Sequence, residues 1–471
     1  MTQAHMTHAH MTQAASAAAI TARLDRLPAS RHVWVLVLLL SLGGCFEFYD
    51  LFMTGYVSPG LIRAGIFHAG AGGLFGLTDQ AAFASITFAG LFVGTICFGY
   101  VADRYGRRAI FTWALLWYSA ATLMMSAQSS AAGIDVWRFV AGIGIGVELV
   151  TIDTYIAELV PKAMRGRAFA INQAVQFSAV PIVAWLSFQL VPRDPFGVSG
   201  WRIVAALPAV AAIAVWFIRR VVPESPRWLA QHGRTAEADR ITAWIEARVA
   251  ADIGRPLPPT GPAAAAETRP ARFAEIWRPP YRRRTIMMIV FQFCQSIGFY
   301  GFGNWVPALL AAQGATFTKS LEYGYIIALA SPTAPLLFVL FADRVERKWQ
   351  ICAAAVGTAC FGLLFTQASG PLALIGCGVA ITVTNNLLST SFHAYQAELF
   401  PTRVRARAVG FVYSFSRIST VFSSFMIAFF LQDFGTVGVF GFIGAAMLVV
   451  VGAIGGFGPR TRGLALEEIA H

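Results

Sequence analysis

Charge is scarce in this chain. Asp, Glu, Lys and Arg make up 13% of its 471 residues, about half of the roughly 25% found in soluble domains. Patterns that carry enzyme chemistry are missing as well. There is no G-x-x-x-x-G-K-[ST] loop to use ATP, no H-E-x-x-H and no G-x-S-x-G, so an enzyme is not expected. The six cysteines (Cys45, Cys97, Cys294, Cys352, Cys360 and Cys377) form no C-x-x-C pair and lie in apolar segments. They read as small buried hydrophobes, so neither disulfides nor a metal nor any cofactor is expected. No cleavable signal peptide is evident, because the first apolar run, "VWVLVLLLSLGG", continues into a full-length span. "GIGIG" at 142–146 follows no strand, so it reads as close helix packing rather than a dinucleotide loop.

Apolar residues are abundant instead: 56% of the chain, with a mean hydropathy of +0.60. Lipid replaces a core as the apolar solvent, and the expected class is an all-α membrane protein. Twelve apolar segments of about 20 residues centre on 33–58, 81–102, 109–128, 134–157, 168–191, 202–221, 285–311, 321–342, 349–368, 371–395, 408–431 and 435–457. The net charge of +12 raises nucleic acid as a partner. However, 30 of the 36 basic residues fall in the tails, in alternate loops or at the span end adjoining such a loop, which is a topology signal. With those loops inside, both termini are cytoplasmic. The partners are then a lipid bilayer, a small molecule and protons.

The chain repeats itself. "YVADRYGRR" at 100–108 and "LFADRVERK" at 340–348 match at an offset of 240, and so do "YIAELVPKAMRGR" at 155–167 and "YQAELFPTRVRAR" at 395–407. One six-helix unit is used twice. The divisions are a tail at 1–31, bundles at 32–221 and 284–457, a Pro/Ala-rich cytoplasmic linker at 222–283 and a tail at 458–471.

These loops resemble the G-x-x-x-D-[RK]-x-G-[RK]-[RK] signature of the major facilitator superfamily. The likeness covers nearly the whole chain. It implies two pseudo-symmetric six-helix halves that rock about a central site, in a cell inner (plasma) membrane, usually as a monomer. "PESPRWL" after the sixth span is similar to a stretch of the sugar-porter branch, which implies a structural or gating role for Glu224 and Arg227. Charges at the inner helix ends read as gate residues that pair and separate: Asp103, Arg104, Arg107, Glu158 and Arg165 in one half, and Asp343, Arg344, Arg347, Glu398 and Arg405 in the other. Their alternative role is setting topology.

Ionisable residues at bilayer depth are costly and functional by default. Glu47 and Asp50 share a face of the first span at i and i+3. A carboxyl in a partly dry cavity can take up and release protons. Asp50 is the first choice as proton carrier, with Asp153 and Glu47 as alternatives. Glu47 could instead pair with Arg138, and a structural ion pair is the bland alternative for Asp50. Arg417 lies midway along the eleventh span and suits an anionic substrate, because a guanidinium stays charged and binds carboxylate through two bonds. Its alternative is charge balance for Asp50 or Glu148.

Measured against the sugar-porter pattern, Gln173 and Gln295 agree. Tyr300 and Asn304 depart from it, and His393 stands where tryptophan is usual. Asn386, Ser389 and His393 form one polar stripe, and Tyr413 lies one turn before Arg417. Sugar-binding groups are partly lost while Arg and His are gained. The reading is a proton-coupled symporter of a small organic anion, aromatic or another carboxylate. The alternatives are a sugar or polyol symporter and a drug or metabolite exporter.

Overall fold

The computed structural model describes residues 15–68, 70, 78–209, 218, 221–261, 273–279, 281–341, 345–400 and 402–461. A short helix α1 (15–25) precedes α2 (Arg31–Arg63), α3 (Asp79–Tyr105), α4 (Arg107–Ser126) and α5 (Ala131–Leu159). The fifth span is α6 (Arg165–Phe177) plus α7 (Ala179–Leu190), hinged at Ser178, and the sixth begins as α8 (Gly200–Ala206). Two linker helices follow, α9 (Pro226–Gln231) and α10 (Thr235–Ile253). The second half runs α11 (Tyr281–Gly303), α12 (Val306–Ala312), α13 (Phe317–Ala328), α14 (Thr333–Phe341), α15 (Arg347–Gln367), α16 (Pro371–Glu398) and α17 (Thr402–Phe457).

Nine stretches among the described residues are long and apolar enough to cross a bilayer. Their relation to the twelve apolar segments is local. α17 contains two spans, because Gly435 at φ 61 and ψ −158 breaks the helix there. The eighth span is divided between α13 and α14, each shorter than the roughly 20 residues a span needs. Half of the sixth lies outside the described residues.

Helix starts follow their caps. Ser30 accepts the Val33 N–H, Ser130 accepts that of Gly133, and Ser225 accepts that of Trp228 with Pro226 just inside α9. Glycine lets α3 and α5 touch backbone to backbone. A Cβ on Gly94 would sit 2.2 Å from the Ile143 carbonyl oxygen, and one on Gly146 would sit 2.3 Å from that of Leu91. No larger residue fits there, and such close approach lets helices associate without a hydrophobic drive in lipid.

The ends of the two halves that carry the repeated loops are built alike. Arg107 of α4 bonds Glu158 of α5 at 3.0 Å, and Arg347 of α15 contacts Glu398 of α16. Both pairs are related by the offset of 240. Tyr155 gives its hydroxyl to the Pro223 carbonyl and Tyr395 gives its own to that of Pro459. Glu224 accepts the backbone N–H groups of Arg107 at 2.9 Å and Arg108 at 3.2 Å, so a carboxylate caps the positive end of α4. Its burial pushes the carboxyl up from its ordinary range.

The segment 1–31, expected as a tail, is ordered in its later part. Ile20, Leu24 and Leu27 are buried in a cluster with Ala238, Ile245 and Val249 of α10. Arg23 and Arg26 hold Glu246 at 2.6 and 2.7 Å. Asp25 accepts from Arg227 at 2.7 Å, Arg165 at 3.2 Å and the Lys162 N–H at 3.0 Å. Burial opposes the Glu246 charge, but Arg23 and Arg26 outweigh it and hold the carboxyl below its ordinary range. A lowered native value contributes stability that is present above the unfolded value and lost as pH falls through the native one. Hydrogen exchange of residues 15–27 is therefore expected to stay slow at neutral pH and to quicken on acidification below the usual carboxylate range. Glu246→Gln should give fast exchange already at neutral pH.

Candidate functional site

An ion pair in the N-terminal half is wholly buried. Asp50 of α2 and Arg138 of α5 have fully enclosed side chains and pair at 2.8 Å. Arg138 spends its remaining donors on the Asp50 carbonyl at 2.6 Å, Thr54 Oγ1 at 2.7 Å and Thr87 Oγ1 at 2.8 Å. Thr122 Oγ1 donates to the second Asp50 oxygen at 3.1 Å, and the guanidinium lies 5.4 Å over the Phe83 ring. Four helices thus meet on one ion pair whose hydrogen bonds are met, the condition under which a buried pair persists. Glu47, one turn earlier on the same face, does not join it: Arg138 pairs with Asp50 and not with Glu47.

A second centre lies in the C-terminal half. Arg417 of α17 is 2% exposed. It donates to the Tyr300 hydroxyl at 2.9 Å and the Tyr413 hydroxyl at 3.2 Å, with its guanidinium 4.9 Å over the Tyr413 ring. Among the described residues it forms no ion pair, and of the acids it feels Glu47 across the divide between the halves. His393 bonds the Ser389 carbonyl through Nδ1 at 2.8 Å, stacks on Phe392 and meets the Tyr413 ring at 5.8 Å. Tyr300 also packs 4.6 Å from Phe88 and 4.9 Å from Phe299.

A cavity lies between the halves, lined by Phe52, Tyr56, Phe177, Phe299, Ser331, Asn385 and Asn386 among others. Asn386 donates to the Ser331 carbonyl at 3.0 Å and Asn385 to that of Gly298 at 3.2 Å. Away from the basic loops the halves close tightly. A Cβ on Gly55 would sit 2.2 Å from the Asn304 carbonyl oxygen, and Tyr56 donates to the Gly324 carbonyl at 3.4 Å. At the other end, Asp153 is exposed and accepts from Asn172 at 3.4 Å.

The expected site residues therefore fall into separate groups. Arg417, Tyr300, Tyr413 and His393 cluster together, and Asn386 lines the cavity. Asn304 forms part of the tight closure instead, with Oδ1 buried and unbonded. Gln295 belongs to a glutamine chain: it donates to Gln292 at 3.0 Å, which donates to Gln396 at 2.9 Å. Gln173 is half-buried on α6. Arg165 bonds Asp25 rather than a charge of the other half, and Arg104 is exposed beside its neighbour Tyr105. Asp343 and Arg344 lie outside the described residues, as do the side chains of Asp103 and Arg405. The threonines that clasp Arg138 carried no sequence signal beyond the i, i+4 spacing of Asp50 and Thr54. The cavity's Asn385 stood unnoticed beside Asn386.

A family model described as "Sugar (and other) transporter" matches residues 36–471. The chain is 32% identical over 442 residues to the putative metabolite transport protein YyaJ of Bacillus subtilis, covering 93% of this chain and 95% of that one. It is 24% identical over 453 residues to the niacin transporter NiaP of Acinetobacter baylyi, covering 96% and 99%. The fold is similar to that of the xylose transporter XylE of E. coli in a partially occluded inward-open conformation, with a TM-score of 0.73, 18% identity and coverage of 93% and 100%. These relatives are transporters and not enzymes, and the chain is a multi-pass membrane protein with the major facilitator fold. It belongs to the sugar (and other) transporter family.

Proposed function

We propose that this transporter is a proton-coupled symporter of a small organic anion, an aromatic or heteroaromatic carboxylate, working by alternating access. Arg417 carries the reading. A guanidinium enclosed at 2% exposure and bonded to two neutral phenols has no ion-pair partner among the described residues and feels Glu47 only across the divide between the halves, and such a charge is costly unless an anion completes it. Carboxylate fits the planar fork, and Tyr300, Tyr413 and Phe299 offer ring faces beside it. The relative named as a niacin transporter supports the same substrate class.

Asp50 is the proton carrier in this account. Arg138 holds its ionised form, and protonation would release Arg138 and loosen the junction of four helices. The two six-helix bundles, 32–221 and 284–457, move about the cavity with linker 222–283 on the inner side. Both termini are cytoplasmic, the membrane is the cell inner (plasma) membrane, and the unit is a monomer. The paired charges Arg107–Glu158 and Arg347–Glu398 brace each half's inner end.

A second reading, a sugar or polyol symporter, is favoured by the amides Asn385 and Asn386 in the cavity wall. Uptake into proteoliposomes under an inward proton gradient separates the two. Labelled nicotinate and benzoate should accumulate and a hexose should not. Hexose accumulation without carboxylate accumulation would overturn the anion reading.

A further inference from the structure

Four buried polar atoms beside the Asp50–Arg138 pair have no short hydrogen bond, although the Tyr118 hydroxyl is near enough to Glu148 to act on its carboxyl as a loose donor. They are Glu47 Oε1, both carboxyl oxygens of Glu148 and the Tyr118 hydroxyl. Glu47 is 1% exposed, while Glu148 and Tyr118 are fully enclosed. They come from three helices, α2, α5 and α4. Gly43 explains how the acids meet: it lies one turn before Glu47, and a Cβ there would sit 3.2 Å from Glu148 Oε1. The missing side chain lets Glu148 lie against α2 beside Glu47.

The charges facing this group are unequal. From α2, Glu47 and Cys45 contribute, with Asp50 engaged by Arg138. From α4 comes Tyr118, and from α5 itself comes Asp153. The cation that reaches Glu47 is Arg417 of the opposite half, whereas Glu148 faces Glu47 and Tyr118 and, among the described residues, no cation. Two buried carboxylates that act on each other and share no cation cannot both stay ionised. Three carboxyl oxygens without a short bond, beside a hydroxyl that meets Glu148 only loosely, are what a missing proton leaves behind, since a protonated carboxyl donates where a carboxylate only accepts.

We propose that Glu148 and Glu47 form a second proton-binding site, with one proton shared between them and resting mainly on Glu148, and Tyr118 bonded to the pair. The site is distinct from Asp50, whose oxygens already accept from Arg138 and Thr122. The step is a proton transfer: an O–H bond of hydronium breaks as a carboxyl O–H bond forms, and the reverse returns the proton to water. Asp153, exposed at the inner end and electrostatically linked to Glu47, marks the way in. Arg417 belongs to the moving partner half, so separation of the halves removes the cation facing Glu47. Glu148 and Tyr118 stay in place, and the hold on the proton therefore follows conformation.

Infrared difference spectroscopy on the purified full chain at neutral pH tests this without a substrate. Wild type minus Glu148→Gln should show the carbonyl stretch of a protonated carboxyl that shifts in deuterium oxide. Wild type minus Glu47→Gln should show the same band displaced, because the partner has become an amide. Asp50→Asn should leave the band in place. A Glu148→Gln difference showing only lost carboxylate bands would overturn the proposal. So would an undisplaced band in Glu47→Gln, which remains informative if Glu148→Gln does not fold.

Discussion

Asp50→Asn is expected to abolish gradient-driven accumulation, bringing the ratio of internal to external substrate down to one, while exchange of substrate across the membrane continues. The amide keeps the shape that Thr122 and Arg138 grip, but it cannot take up and release a proton. It also leaves Arg138 enclosed without a counter-ion. Breaking one side of a buried pair costs about 3–5 kcal/mol, so the melting temperature should fall as well. The double variant Asp50→Asn/Arg138→Gln separates the two effects. Removing both charges should restore much of the lost stability, because the orphaned cation is gone, yet accumulation should stay absent. Accumulation that survives Asp50→Asn would move the proton to another acid and reduce Asp50–Arg138 to a structural clamp.

Arg417→Ala is expected to weaken binding and transport of aromatic carboxylates by about 100-fold or more. A hydrogen bond to a charged group contributes about 1.5–3 kcal/mol, a tenfold change corresponds to about 1.4 kcal/mol, and a carboxylate can take two such bonds from one guanidinium. Arg417→Lys should not rescue the loss, because a point charge lacks the planar fork. Stability gives the discriminating readout. In the structure Arg417 bonds only neutral hydroxyls and otherwise lies over the Tyr413 ring, so its removal should leave the melting temperature of the substrate-free protein unchanged or higher. A fall of several degrees, with carboxylate affinity retained, would assign Arg417 to scaffold charge balance. Tyr300→Phe and Tyr413→Phe should each give a smaller loss, since they orient the guanidinium rather than bind charge.

The fold was largely legible because bilayer physics writes coarse signals. Runs of apolar residues and basic loops require no knowledge of packing, and the offset of 240 anticipated that Arg107–Glu158 and Arg347–Glu398 would occupy equivalent places. Finer features depend on how helices rotate against one another. Glu47 and Asp50 are equally good partners for Arg138 in sequence, and only the packing of α2 against α5 selects Asp50. Arg417 could be matched to Tyr413 by helical spacing, but Tyr300 lies on another helix 117 residues away. The breaks within the fifth and eighth spans carry little contrast, because both sides remain apolar. The ordered helix α1 was legible in principle. Ile20, Leu24 and Leu27 recur at i, i+4 and i+7, a buried stripe, hidden behind the polar and Ala-rich composition around it.

The measurement that bears most directly on the central claim is proton movement accompanying substrate in proteoliposomes with no imposed gradient. Nicotinate added outside a weakly buffered suspension should alkalinise the medium faster than in protein-free liposomes. The excess should vanish with Asp50→Asn and with Arg417→Ala. Nicotinate entry with no proton movement above the protein-free control, or proton movement elicited by a hexose and not by nicotinate, would contradict the account.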